Sequence, residues 1–496
     1  MLQTLKNAWN TKEIRSKLLF TLLILLIYRI GTVIPVPFVE ANDFAASLDG
    51  TILQYMDVLS GGSLGAMTLF ALGVQPYINA SIIIQLLAVV FPKLGELAKN
   101  DKKKMTFITR IVTVALALVT AIGYYFLLRN GSGNVETFLT RSAFEGKGAW
   151  FYAIVIIACY CAGASLIMWL AERINEKGIG NGISMILFAN IVAAVPSFVY
   201  NLVVMVANTY GYTVRPWLYA IISTLFAIVL VVFLLALIGV VIWFTGSERR
   251  IPIQYAKKVV GRKMYGGQSS NLPIKLNMTG VMPIIFASSI VSFLPTLFQI
   301  LANADLIALT KTEGGQTVNT FWGTFMEIIG PNGIVYPVAL FLLIIGFAYF
   351  YSAITFDPMD IANNLKKQGG AIPGIRQGRP TAEYIKKITG KITLAGALFL
   401  GVIAILPQIL GPHVFQYLFQ WIIRGGYIEA IEQATEMGYS FYVTYYEQII
   451  ASHASSLVGI FSFGGTTLLI VVGVAIETFR ELEAQLTMRS YKGFLN

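Results

Sequence analysis

The sequence predicts an all-α polytopic membrane protein of ten transmembrane helices, and three observations carry the prediction. The 496-residue chain is 56% hydrophobic and 12% charged, about half the charge of an ordinary water-facing chain. Apolar runs recur at 18–37, 74–91, 107–128, 151–171, 183–206, 217–244, 278–301, 333–352, 388–410 and 458–478, and roughly 20 such residues cross a hydrocarbon core. With the N-terminus placed inside, the inside segments hold 29 Lys and Arg and the outside segments 6, the asymmetry that orients multispanning chains. Acidic residues divide 12 to 13, as expected where basic residues alone set topology. The net charge of +11 therefore belongs mainly to one membrane face and does not mark a nucleic-acid binder.

The first run follows Lys6, Lys12, Arg15 and Lys17 and so imitates a secretory signal. It is nevertheless span-length, and Pro35, Pro37 and Glu40 follow it in place of a small-residue cleavage site, so an uncleaved first span is expected. The second run is short and opens at Pro76, which suits a helix start or a break. Cys159 and Cys161 lie inside the fourth run, with no spacing for a zinc site or a disulfide framework, and read as inert buried thiols.

Apart from Arg29, the runs carry charge only near their ends, as at Arg110, Glu172 and Glu477. Ion- and proton-coupled transporters place ionisable groups at mid-membrane, so a coupled solute transporter is disfavoured. Arg29 is expected to pair with helix-end carbonyls or a neighbouring loop. The stretch GRKMYGGQ (261–268) has Gly267 and Gln268 where a phosphate loop needs Lys and Ser/Thr. The histidines, His413 and His453, fall in the last outside loop, and Gly163-Ala164-Ser165 reads as a small-residue helix contact. No catalytic, metal or cofactor site is expected, and the energy for any work must come from a partner.

Two features suggest a channel. Residues 60–79 contain an apolar piece, Leu64–Leu72, bracketed by Gly61, Gly62 and Gly73. It has the length of two or three helical turns, too short to span, and must be buried in protein or a cavity; a static re-entrant helix or a mobile plug both fit. The second feature is a pair of long inside loops. Residues 245–276 carry Arg249, Arg250, Lys257, Lys258, Arg262 and Lys263. Residues 353–391 carry Lys366, Lys367, Arg376, Arg379, Lys386 and Lys387 around a turn-rich stretch, 369–381. Loops this long are usually functional, and their charge suits phosphates, anionic lipids or acidic protein surfaces.

The motifs YRIGTVIPVPF (28–38), FALGVQPYINASIIIQLL (70–87), GIGNGISMILFANIVA (178–193), the stretch 249–290, PGIRQGRPT (373–381) and the stretch 463–494 resemble, in order, those of the SecY family of protein-conducting channels. The resemblance implies two pseudo-symmetric inverted five-helix halves, 1–206 and 207–496, around an hourglass pore. It implies a plug at about 61–73, including Leu64, Met67, Leu69 and Phe70, and a lateral gate between spans two and seven that releases membrane helices sideways. Matched position by position, the pore ring falls on Val74, Ile78, Ile183, Leu187, Ile285 and Ile470. A ring of branched aliphatic chains dewets when empty and offers a passing polypeptide no hydrogen bonds. At the gate the resemblance points to Gln85, with Asn79 and Ser288 as weaker companions. Arg376 matches the family's coupling arginine for the motor ATPase SecA.

The further implications are partners SecE and SecG, docking of SecA or the ribosome on the two basic loops, secretory polypeptides and signal sequences as substrates, contact with membrane lipids, and a bacterial cytoplasmic membrane with both termini inside. The chain departs from the family pattern at Val74, where isoleucine is common, and at Gln377, where proline is usual and whose loss is expected to loosen the loop tip. It departs also in the outside loop 411–457, which is enlarged and carries Phe415, Trp421, Tyr427, Tyr439 and Tyr445. Aromatics favour the membrane interface, so an interfacial hairpin or helix pair is expected there.

Overall fold

The computed structural model describes residues 2–40, 44, 52–131, 137–140, 149–208, 216–255, 258–260, 263–265, 269–303, 307, 309–313, 316–330, 333, 335–421 and 464–492. A helix occupies each of the ten apolar runs: Lys12–Gly31, Gln75–Val90, Lys102–Asn130, Ala149–Lys177, Gly182–Asn208, Pro216–Gly246, Met282–Asn303, Val335–Thr355, Arg379–Leu410 and Gly465–Lys492. These are spans one to ten below. Among the described residues seven helices are long and apolar enough to cross a membrane, and the second makes eight if Gln75–Val90 and Pro92–Ala98, bent by 118°, count as one. The first and last are more charged, with Lys12, Glu13, Arg15 and Lys17 opening one and Glu477, Arg480, Glu481 and Glu483 inside the other. Pro76 stands in the first turn of span two, where its missing N–H costs nothing.

Burial follows the expected division between core and lipid. One contiguous apolar core draws on spans one to eight, nine and ten. Span six turns Leu225, Ile228, Val232, Leu235 and Trp243 outward, the bare apolar surface that hydrocarbon covers. Charge near the helix ends is paired. Arg110 of span three donates through Nε and Nη2 to the two carboxylate oxygens of Glu172 in span four, at 3.0 and 2.7 Å, a fork geometry that adds direction to attraction.

The loops 245–276 and 353–391 hold the main departure from an all-helical reading. Strand β1 (Glu248–Tyr255) pairs antiparallel with β4 (Ser269–Lys275), from Glu248↔Lys275 to Gln254↔Ser269. The other edge of β1 takes Gly370 and Ala371 of the second loop, through Tyr255↔Gly370 and Gln254↔Ala371. The two loops thus share one sheet. Beneath it Ile251, Ile253 and Ile274 pack with Leu365, Ile372, Ile385 and Ile392. Span nine begins at Arg379, earlier than its apolar run, because Ile385 and Ile392 face this second core.

On the outside, span nine runs through a π-helical turn (Gly411–Phe415) into a further helical turn reaching Trp421. Phe415 and Phe419 lie against span six, with Phe419 stacked on Phe226 at 5.4 Å and Phe415 edge-on to Phe233 at 5.6 Å. The start of the enlarged loop is therefore a continuation of span nine. Residues 422–463, with Tyr427, Tyr439, Tyr445 and the rest of the expected hairpin, lie outside the described residues.

Candidate pore, plug and gate

The six expected ring positions come from four helices. Val74 and Ile78 open span two, Ile183 and Leu187 lie in the first turns of span five, Ile285 near the start of span seven, and Ile470 near the start of span ten. All six are buried and belong to the same apolar core. Val74 and Leu187 border a cavity of about 10 Å³ with Leu59, Ser60 and Gly73; a water needs about that much or more. The space beside these two positions is therefore no larger than a single water.

Leu64, Met67 and Phe70 of the apolar segment are buried in this same core, and Leu69 packs at its edge. The segment is not the regular helix its length suggested. A helix precedes it (Ile52–Ser60), and residues 61–74 are successive turns. The cause is backbone geometry: Gly61, Gly62 and Gly73 take φ of +73°, +82° and +57°, and Met67 takes +48°, left-handed values that break helix. The turns are tied to the stretch after span one, where the Val36 N–H donates to Met67 O at 3.1 Å and the Leu69 N–H to Ile34 O at 2.9 Å. A side chain at Gly163 of span four would put its Cβ 1.9 Å from Leu69 O. The small-residue contact expected at Gly163-Ala164-Ser165 is therefore made to the backbone of the plug segment. Gly31 of span one leaves room for the Phe70 ring in the same way.

Asp57, in the helix before the turns, accepts from Gly65 N–H at 2.7 Å through Oδ1. Burial pushes its carboxyl above the ordinary range, and the backbone N–H bonds from Gly65 and Leu64 pull it part of the way back.

Spans two and seven pack against each other, but the polar contact at Gln85 runs elsewhere. Its Nε2 donates to Ser81 Oγ at 2.9 Å within span two, and its Oε1 accepts from Tyr351 Oη of span eight at 2.8 Å. Ser288 donates back to Ile285 O at 3.0 Å in its own helix. Asn79 borders a cavity of about 50 Å³ between spans two, three and seven, shared with Thr120 and Thr296. Tyr351 also meets Phe286 of span seven edge-on at 5.2 Å, so spans two, seven and eight converge on one phenol.

On the shared sheet Arg249 and Arg250 are exposed, Arg250 donating to Glu248 at 2.8 Å. Arg376 stands exposed on the turn before span nine, and its carbonyl accepts from the Thr381 hydroxyl at 2.7 Å. Arg379 pairs with Glu383 at 3.1 Å, both largely exposed, a contact of small value in water. Gln377 donates through Nε2 to Gly370 O at 3.1 Å. This bond fastens the turn to the sheet, so the residue that replaces proline restrains the tip by another means. Lys258 and Lys263 lie on a short strand pair, β2 (Lys258–Val260) and β3 (Lys263–Tyr265); Lys257 and Arg262 fall outside the described residues.

A bundle of apolar helices with a glycine-bounded segment of turns buried in its core fits the class of membrane channels. The particular family follows from comparison. Residues 68–426 match the family model SecY. The protein translocase subunit SecY of Mycobacterium tuberculosis H37Rv is 37% identical over 507 residues, and that of Streptomyces coelicolor 35% over 505, each alignment covering 100% of both chains. The chain belongs to the SecY family. Its fold is similar to that of a solved protein-conducting channel, with a TM-score of 0.59 at 17% identity over 95% of this chain and 92% of the other. It is also similar to the channel of a canine ribosome-channel complex from the endoplasmic reticulum, with a TM-score of 0.56 at 16% identity over the same shares.

Proposed function

We propose that this chain is the pore subunit of a protein translocase in a bacterial cytoplasmic membrane, with both termini and the basic sheet on the cytoplasmic side. Unfolded polypeptide passes between two halves, 1–206 and 207–496, through the ring of Val74, Ile78, Ile183, Leu187, Ile285 and Ile470. The plug about Leu64, Met67, Leu69 and Phe70 seals the ring from outside, and membrane helices leave between spans two and seven past Asn79, Gln85 and Ser288. The observation that carries this reading is the burial of ring and plug residues in one apolar cluster, which would block ions at rest and present no polar hold on a moving chain. One solved structure of similar fold is of a SecY protein whose plug domain stabilises the closed state of the translocation channel and maintains a membrane seal; it has a TM-score of 0.57.

The chain itself holds no energy source. SecE and SecG are its membrane partners, and SecA or the ribosome docks on Arg249, Arg250, Lys257, Lys258, Arg262, Lys263, Arg376 and Arg379. Ribosomal RNA supplies phosphates and SecA acidic surface, both of which a basic platform accepts. The positive-inside charge split and the exposure of Arg376 at a tethered turn support this orientation. The test is reconstitution with SecE and SecA. A secretory precursor is expected to enter vesicles on ATP addition, and Arg376→Glu is expected to stop it while leaving assembly intact. Entry that proceeds normally with Arg376→Glu removes the coupling role, and no entry into wild-type vesicles removes the proposal.

A further inference from the structure

Arg29 stands in the last turn of span one, and no ion pair joins it to an acid among the described residues. Its Nη1 is buried and has no hydrogen-bond partner among the described residues. Across from it lies Asn190 of span five, fully buried. Asn190 Nδ2 donates to Tyr28 Oη of span one at 2.9 Å and to Leu59 O at 2.8 Å, so it holds the end of the helix that leads into the plug. Its Oδ1 is buried and accepts nothing among the described residues. One buried donor and one buried acceptor thus stand unpaired, and each costs free energy in a dry interior.

Both stand against Gly61. A Cβ built there would lie 2.8 Å from Arg29 Nη1 and 2.9 Å from Asn190 Oδ1. The two groups thus approach one backbone unit, the first left-handed residue of the plug segment, which leaves them room because it has no side chain.

We propose that Tyr28, Arg29 and Asn190 form a two-position latch operated by Gly61. With the plug seated, Asn190 holds Leu59 O and Gly61 keeps Arg29 and Asn190 apart. When the plug withdraws and takes Gly61 with it, Arg29 Nη1 donates to Asn190 Oδ1. A hydrogen bond from a charged donor is roughly twice as strong as a neutral one, so the new bond offsets the loss of the Leu59 contact. The latch keeps the closed and open states close in free energy, as a gate that a ligand must tip requires. Arg29 is a positioning residue for opening, and it acts only once the plug has moved. The inference rests on the plug reading above.

The test measures ion conductance of the reconstituted channel, at rest and with a signal peptide. Arg29→Met removes only the open-state bond, so signal-evoked opening is expected to fall about tenfold with no added resting leak. Arg29→Lys, which keeps a charged donor, is expected to restore most of the opening. Gly61→Ala drives a Cβ against the two groups in the seated state and is expected to raise resting leak, the opposite sign. Deletion of 62–72 is the control: it is expected to leak and to abolish the effect of Arg29→Met. A leaking deletion together with normal opening of Arg29→Met overturns the latch and leaves the plug reading standing. Resting leak from Arg29→Met also overturns it, since that is the mark of a static support. A deletion that does not leak overturns the plug reading and the latch with it.

Discussion

Replacing Tyr351 by phenylalanine removes one atom from the gate and leaves the rest in place. The lost bond is the 2.8 Å donation from the Tyr351 hydroxyl to Gln85 Oε1. The ring contacts to Phe286 at 5.2 Å and Phe350 at 6.0 Å survive the change. Gln85 Nε2 keeps Ser81, but Oε1 loses its donor. Interhelical hydrogen bonds in membranes average about 0.6 kcal/mol and reach about 1.7. With 1.4 kcal/mol to each factor of ten, the closed gate is weakened roughly three- to fifteenfold. The assay is export or insertion of a series of precursors whose signal helices differ by single leucines. Tyr351→Phe is expected to lower the hydrophobicity needed for entry, and Gln85→Leu to lower it without adding to the effect of Tyr351→Phe. An unchanged threshold in Tyr351→Phe, or additive effects in the pair, refutes the bond as a determinant of the gate.

Three further outcomes follow from the same geometry. Replacing Ile183 and Ile285 together with serine wets the constriction, and the resting channel is expected to pass ions; a conductance like that of the wild type counts against the ring. At Gly163, alanine sets a Cβ 1.9 Å from Leu69 O, so the plug segment must shift; Gly163→Ala is expected to raise resting leak, and an intact seal would show that the segment is not fixed from span four. Asp57 gives a pH dependence. Its carboxyl is raised above 3.8 by burial when the helix before the plug is seated, so the seated state binds the proton more tightly than the released one. That stabilisation is complete below the ordinary carboxyl value and is lost as pH rises through the elevated one. The seal is expected to tighten on acidification and Asp57→Asn to remove the dependence, read as resting conductance across a pH series; a pH profile retained in Asp57→Asn removes Asp57 as its source.

The spans were legible because the hydrocarbon core imposes a length and a polarity that no other environment does. Helix ends were less so, since Arg379–Lys387 is amphipathic and faces the second core, not lipid. The proposed ring residues have no signature of their own: each is an ordinary aliphatic, and only position within matched motifs singles them out. The contacts that join distant segments were out of reach. Gln85 and Tyr351 are separated by 266 positions, and no local pattern links them. The sheet left a faint trace in Arg249–Tyr255, where Ile251 and Ile253 alternate with exposed neighbours, but its third strand is two residues long. The length of Leu64–Leu72 suits a short helix, and the left-handed turn at Met67 inside it has no glycine to announce it.

The shared sheet has a mechanical consequence. Its strands are rooted in the loop between spans six and seven and in the loop between spans eight and nine, and the backbone hydrogen bonds of Gln254 and Tyr255 with Ala371 and Gly370 couple the two. A load placed at the Arg376 turn passes through Gln377 and Gly370 into β1, and so reaches four membrane helices together. Spans one to five take no part in that sheet. A pull on the Arg376 turn is therefore shared among those four helices, and it reaches span two only through the packing of spans seven and eight against it.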